Sequence, residues 1–196
     1  MNNNLKLLLK ILGISLLVFA VIFFVVHYNT KAYSPEDNVS YTNNDLTLEV
    51  FYNRPYKKGR EIFGNLVPYD SVWRTGANEA TVFKTNKDIL VDGSLLQKGE
   101  YTLWTIPKKD SWKIIFNNKM YPWGIDLKGN AYRDPEFDAL VVEVPASNQN
   151  ISVDQFTIYF EEANDLVFLA ISWDKTIVRV PIKIKETPTI EASSNN

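Results

Sequence analysis

The sequence predicts an all-β domain, a β-sandwich of jelly-roll type, preceded by one N-terminal transmembrane α-helix. Three observations carry that prediction. An apolar run near the N-terminus has no polar face; about nine short stretches of alternating apolar and polar residues follow it; and turn-forming residues separate those stretches at short intervals. No later segment shows the apolar period of a 12-residue amphipathic helix, which favours a sandwich over a mixed fold.

Ile11 to Val26 is a sixteen-residue run interrupted only by Gly13 and Ser15, and from Leu7 to Tyr28 the apolar stretch has 22 residues. At ~1.5 Å per residue this is about 33 Å of helix, close to the ~30 Å of a bilayer's hydrocarbon core. Lys10 is placed to snorkel towards the headgroups, and Tyr28 stands where an interfacial aromatic belongs. Lys6 and Lys10 precede the run with no acidic residue beside them. The positive-inside rule then puts the N-terminus in the cytoplasm and everything after Tyr28 outside, on the periplasmic side if the cell has an outer membrane. A cleaved signal peptide is the rival reading: Thr30 and Ala32 offer a weak small-x-small site, although the apolar region exceeds the usual ~7–15 residues.

The expected organisation is a cytoplasmic stub and anchor over residues 1–28, a polar linker over 29–45, a β domain over 46–184 and a disordered tail over 185–196. Within the domain, Leu46, Leu48, Val50 and Tyr52 alternate with Thr47, Glu49, Phe51 and Asn53. Lys87–Val91 and Ser94–Leu96 flank Asp92-Gly93, a two-residue hairpin signal. Strands are expected at Glu100–Pro107, Ser111–Asn117, Ala139–Pro145, Gln155–Glu161, Leu166–Trp173 and Thr176–Ile184. Asn164-Asp165 and Asp174-Lys175 would make tight connections, and Pro181 would place the last strand at a sheet edge, because proline cannot donate to a ladder.

Composition excludes several chemistries. The chain has no cysteine, and its single histidine, His27, lies at the end of the apolar run. Serine–histidine–aspartate catalysis, thiolate nucleophiles and ordinary zinc sites therefore cannot be built in the domain. No cofactor and no metal are expected; the spacing of Asp126, Gly129, Asn130 and Asp134 does not match a calcium-binding EF-hand loop. The chain has 21 basic residues; removing Lys6, Lys10 and Lys31 leaves 18 against 23 acidic ones, a net charge of −5 that argues against a nucleic-acid partner.

The informative segment is Asn53–Ala80, NRPYKKGREIFGNLVPYDSVWRTGANEA, 28 residues with little strand pattern. A loop this long is usually functional or disordered, and Phe63, Leu66, Val67, Tyr69, Val72 and Trp73 give it apolar anchors of its own. It concentrates Arg54, Lys57, Lys58, Arg60 and Arg74, with Asn78 and Glu79 after them. Arginine forms bidentate bonds to carboxylates and phosphates, so Arg54, Arg60, Arg74, Asn78 and Glu79 are the candidate ligand-binding residues. The plainer reading is that Arg74 pairs with Glu79 and merely pins the connection. Of the five tryptophans, Trp112 and Trp173 belong to the core by strand pattern. Trp123, in the irregular stretch 117–135, is the candidate exposed platform for a ligand. Glu79, Asp126, Asp134 and Glu136 are the loop carboxylates from which a hydrolytic pair would have to come.

The series R-P…K-G-R…I-F-G…L-V-P-Y…V-W-R-T-G-A-N-E-A, followed by G-x-Y-x-L-x-T-I-P and W-x-I-I-F-N, resembles the bacterial family catalogued as domain of unknown function 2911. The resemblance covers roughly residues 46–184 and implies a small exported or anchored β-rich protein, with no activity attached. Two functions follow as expectations: a binding or structural module of the cell envelope recognising a polar or anionic ligand, or a carboxylate-based hydrolase acting on envelope glycans. The expected partners are the bilayer, through residues 7–28, and a polar, anionic or glycan ligand. Two carboxylates about 5–9.5 Å apart in an open cleft would favour the hydrolase. A cleft lined by arginines would favour binding.

Overall fold

A computed structural model describes residues 2–126, 128–164 and 166–184. Helix α1, Asn3–Tyr33, is 31 residues long and apolar enough to cross a membrane, and its apolar stretch is not buried against the rest of the chain. It runs past Tyr28 because nothing in Thr30–Tyr33 breaks it. It stops at Ser34, since the residue before Pro35 is pushed out of the helical region.

After α1 the regular structure of the described residues is β-strand, apart from one short 3-10 turn. Strands β1 (Glu36–Asn43), β2 (Leu46–Asn53), β3 (Val82–Thr85), β4 (Ile89–Val91), β5 (Ser94–Leu96), β6 (Gly99–Pro107), β7 (Ser111–Asn117), β8 (Asp138–Ala163) and β9 (Leu166–Ile184) pair antiparallel throughout. They hydrogen-bond in the single order β1-β2-β3-β6-β7-β8-β9-β4-β5. A division into two separate jelly-roll sheets is thus not what the hydrogen bonds draw.

The sheet folds over so that its two ends share one core. Leu48, Val50, Tyr52, Phe83, Leu103, Ile114 and Phe116 from one end pack in the same cluster as Phe156, Ile158, Leu169, Ile171, Val180 and Ile182 from the other. The fold-over is made by β8: residues 138–145 pair with β7, residues from Ala146 onwards pair with β9, and the register slips around Val153. Such bulges bend a strand and let it serve both parts of a sheet. Tyr52 stitches the ends together. Its hydroxyl accepts the Ile158 N–H at 2.9 Å and lies 3.1 Å from the Ile158 carbonyl, and its ring meets Phe156 edge-on at 5.7 Å.

Three expectations need correction. Residues 29–45 are not a linker: they hold the end of α1 and strand β1, which pairs with β2 over its whole length through the two-residue turn Asn44-Asp45. The four separate strands expected between Ala139 and Ile184 are two long ones: β8 continues past Pro145 by changing partner from β7 to β9, and in β9 Asp174 adopts a left-handed φ of 53° without reversing the chain. In strand order β9 is internal, yet pairing with β8 ends at Val178 and β4 covers only Ile182–Ile184, so Pro181 sits where one side has no ladder to feed. The Asp92-Gly93 hairpin is present, with both residues at positive φ as a two-residue turn of this hand requires. The expected tail, 185–196, lies outside the described residues.

A candidate anion-binding cleft beside the helix end

The long segment between β2 and β3 is fastened to the sheet at several points. Tyr56 bridges Gln155 of β8, the Asp70 N–H bonds the Pro107 carbonyl at 2.9 Å, and Trp73 exchanges backbone bonds with Thr105 at 2.8 and 2.9 Å. Beneath it Trp73 lies nearly parallel to Trp173 at 6.0 Å, with Phe63, Trp112 and Phe156 edge-on around the pair. Trp112 and Trp173 are buried, as the strand pattern predicted.

The Trp73–Ala80 stretch then makes a sharp turn. Thr75 has φ 54°, Gly76 φ 152° and Asn78 φ 55°. A β-branched residue at positive φ is strained by about 1–3 kcal/mol and persists only where its surroundings hold it. Thr75 is held: it is fully buried, its hydroxyl bonds that of Thr105 at 3.2 Å, and its carbonyl accepts the Thr81 hydroxyl at 2.7 Å. Gly76 is required, because a Cβ there would lie 2.9 Å from the Asn53 carbonyl oxygen. The Trp73 indole N–H closes the turn on the Gly76 carbonyl at 3.0 Å.

This turn sends its polar side chains in two directions. Asn78 and Glu79 face the end of α1. The Asn78 amide lies 3.3–3.4 Å from the carbonyls of Ser34 and Thr30, and Glu79 takes the Lys31 ammonium on both carboxylate oxygens, at 2.6 and 2.7 Å. The Asn53 amide donates to Glu79 at 3.0 Å. Burial alone would raise the Glu79 carboxyl; the hydrogen bonds from Lys31 and Asn53 outweigh it and hold the group below the usual carboxylate range. The ion pair expected between Arg74 and Glu79 is therefore replaced by one between Lys31 and Glu79.

Arg74 faces the other way, into a cleft of about 650 Å³. Among the described residues it forms no salt bridge; its hydrogen bond is to the Trp123 carbonyl, at 3.3 Å. Gly124 packs against its stem, where a Cβ would stand 3.0 Å from the Arg74 Cδ. Burial lowers the pKa of the guanidinium and the Glu79 charge offsets part of this. Since arginine remains charged in proteins, the shift expresses a partly desolvated cation.

Arg60 and Lys58 also line the cleft, Arg60 braced on the carbonyls of Lys57 and Tyr56 at 3.0 and 2.5 Å. Lys58 holds its ammonium 3.9 Å over the Tyr33 ring. Trp73, Trp173, Leu66, Val72 and Ile125 supply apolar wall, and Tyr33 and Ser34, from the end of α1, form part of the rim. No Asp or Glu is among the described residues that line it.

Of the residues singled out from the sequence, Arg60 and Arg74 meet in this cleft. Asn78 and Glu79 sit behind it on the helix end. Arg54 is spent on the Phe156 carbonyl, the Thr157 hydroxyl and Asp37, at 3.2, 3.0 and 3.1 Å. Trp123 has 39% of its surface exposed and touches the site through its carbonyl. Sequence reasoning missed Lys31, Tyr33 and Ser34. The signal that could have found them is the absence of any helix breaker between Tyr28 and Ser34-Pro35.

Glu79, Asp126 and Asp134 are engaged elsewhere, and the fourth loop carboxylate, Glu136, is exposed and does not line the cleft. Asp126 accepts the backbone N–H groups of Lys128 and Asn130, at 2.8 and 2.9 Å. Asp134 caps the short 3-10 turn Pro135–Phe137 and pairs with Lys119 at 3.3 Å. Among the described residues no group of three or more His, Cys, Asp or Glu could hold a metal ion.

A family model described as a protein of unknown function (DUF2911) matches residues 34–182, most of the chain. No curated protein and no solved structure matches the chain significantly.

Proposed function

The chain belongs to the DUF2911 family, whose description assigns no activity, and we propose from the geometry of the cleft that it is a membrane-anchored, extracytoplasmic binding module of the cell envelope whose ligand carries an anionic group. The observation that carries this reading is Arg74: a cation partly withdrawn from water, without a carboxylate in contact, in a concavity that two more cations line. A buried charge left unpaired is costly, and a ligand anion supplies the missing partner. The cavity volume falls within the ~300–1,000 Å³ of small-molecule sites.

The hydrolase reading draws no support from the same cleft. It needs two facing carboxylates, whereas Glu79, Asp126 and Asp134 are committed to Lys31, to a backbone turn and to Lys119, and Glu136 does not line the cleft. Retention of the anchor is supported by the helix end itself. Cleavage after Ala32 would remove Lys31 and leave the half-buried Glu79 carboxylate without its cation.

The test uses the full chain in neutral detergent, titrated with inorganic phosphate and followed by tryptophan emission. Saturable binding that weakens about tenfold or more in Arg74→Met is expected. Equal affinity in the wild type and the variant removes the cleft from the explanation. For topology, retention in the membrane after carbonate washing, with the domain open to protease from outside, is the expected result. Release of a chain beginning near Tyr33 overturns the anchor.

A further inference from the structure

We infer that the anion taken by the cleft is the phosphate of a membrane amphiphile, presented from the same bilayer that α1 crosses; this rests on the anion-binding reading above. The first ground is height. If Leu7–Tyr28 fills the hydrocarbon core, Tyr33 and Ser34 stand five and six residues beyond Tyr28, about 8–9 Å further along the helix axis. The polar layer on each side of a bilayer is about 5–8 Å thick. The rim that Tyr33 and Ser34 contribute is thus level with the outer edge of the headgroups.

The second ground is that this height is fixed. Lys31 is locked by Glu79, and the helix's last carbonyls are met by Asn78, so the domain cannot swing its cleft away from the surface without breaking those bonds.

Composition of the cleft is the third. An inorganic anion would satisfy Arg74 yet leave most of about 650 Å³ unfilled, including the apolar wall of Leu66, Val72 and Ile125. A phosphate ester with an apolar portion satisfies both. Guanidinium groups suit phosphate oxygens in pairs, and the Lys58 ammonium over Tyr33 adds a point charge at the rim.

The experiment places the full chain in nanodiscs of a phosphate-free galactolipid, alone, with phosphatidic acid mixed in, or with inorganic phosphate added to the buffer. Hydrogen exchange over residues 55–77 and tryptophan emission are the readouts. Phosphatidic acid should protect the segment, and Arg74→Met should raise the half-saturating lipid fraction about tenfold or more. Arg60→Gln, at an exposed position where folding is not at risk, should shift it in the same direction by less and decides the matter if Arg74→Met fails to melt cooperatively. An equal response to inorganic phosphate in plain galactolipid discs overturns the lipid source and leaves the anion cleft standing. Silence towards both phosphates overturns the cleft as well. Protection by phosphatidic acid that both variants retain means surface adsorption, and also defeats the inference.

Discussion

Replacing Glu79 by alanine tests the joint between helix and domain. The carboxylate holds Lys31 at 2.6 and 2.7 Å with side chains 27% and 21% exposed, and it accepts from Asn53, a fully buried residue, at 3.0 Å. Exposed ion pairs are worth about 0–1 kcal/mol, while breaking a fully buried one costs ~3–5 kcal/mol. A pair with about a quarter of its surface in water belongs between them, at about 1–2 kcal/mol. Stranding the Asn53 amide adds ~1 kcal/mol. Glu79→Ala should therefore cost about 2–3 kcal/mol, a fall of roughly 4–12 °C in melting temperature for a chain of this size. The assay is a double-mutant cycle on the full chain in detergent, by thermal and denaturant unfolding. Lys31→Ala and Glu79→Ala should be coupled by about 1 kcal/mol, so that the double variant loses less than the sum of the singles. Arg74→Ala with Glu79→Ala should be coupled more weakly than the Lys31 pair, because these two side chains do not touch and interact only through their charges. Additivity for the Lys31 pair, or strong coupling for the Arg74 pair, would refute this account of the joint.

Three further outcomes follow from the same geometry. Tyr52→Phe should cost about 1–3 kcal/mol by denaturant unfolding, because the buried Ile158 N–H loses its acceptor. Burial pushes the Tyr52 hydroxyl up to about 12 from 10.0, so the wild type should lose stability as pH rises between those values, and the phenylalanine variant should lose less over that interval. Gly124→Ala should destabilise by about 1–2 kcal/mol, since Gly124 has φ 65° and the new methyl meets Arg74; phosphate titration should show weaker binding. For Asp174, as for Glu79, burial opposes ionisation, but the hydrogen bonds from Lys57 and Ser152 win and its pKa is lowered. Both carboxylates thus contribute stability that is complete above their ordinary values of 4.5 and 3.8 and is lost as pH falls through their lower folded-state values. Scanning fluorimetry should find this loss at acid pH, with Glu79→Gln flattening part of it.

What the sequence made legible was whatever has a short period or a local turn. Leu46, Leu48, Val50 and Tyr52 alternate and are buried, Ser111–Asn117 is strand β7 at its expected bounds, and Asp92-Gly93 turns as two residues at positive φ. The segment Asn53–Ala80 stood out because its length and charge broke those patterns. Pairing choices were not legible. That Lys31 rather than Arg74 would neutralise Glu79 depends on where α1 ends relative to a loop 48 positions away. Nor could local pattern reveal that Asp174 continues a strand. A bulge and a turn use the same left-handed residue, and only the partner strand decides which one forms.

The strand order also governs how the chain assembles. Strand β4, at Ile89–Val91, pairs with β5 on one side and on the other with Ile182–Ile184 of β9, and the fold-over in β8 cannot set until β9 lies beside it. At a synthesis rate of about 5–20 residues per second, roughly 5–20 s separates the appearance of β4 from that of its partner. Through that interval the β4–β5 hairpin has an open edge and the aromatic floor beneath Trp73 lacks Trp173. The cleft therefore forms late in synthesis, and a product truncated before Trp173 would lack part of its aromatic floor.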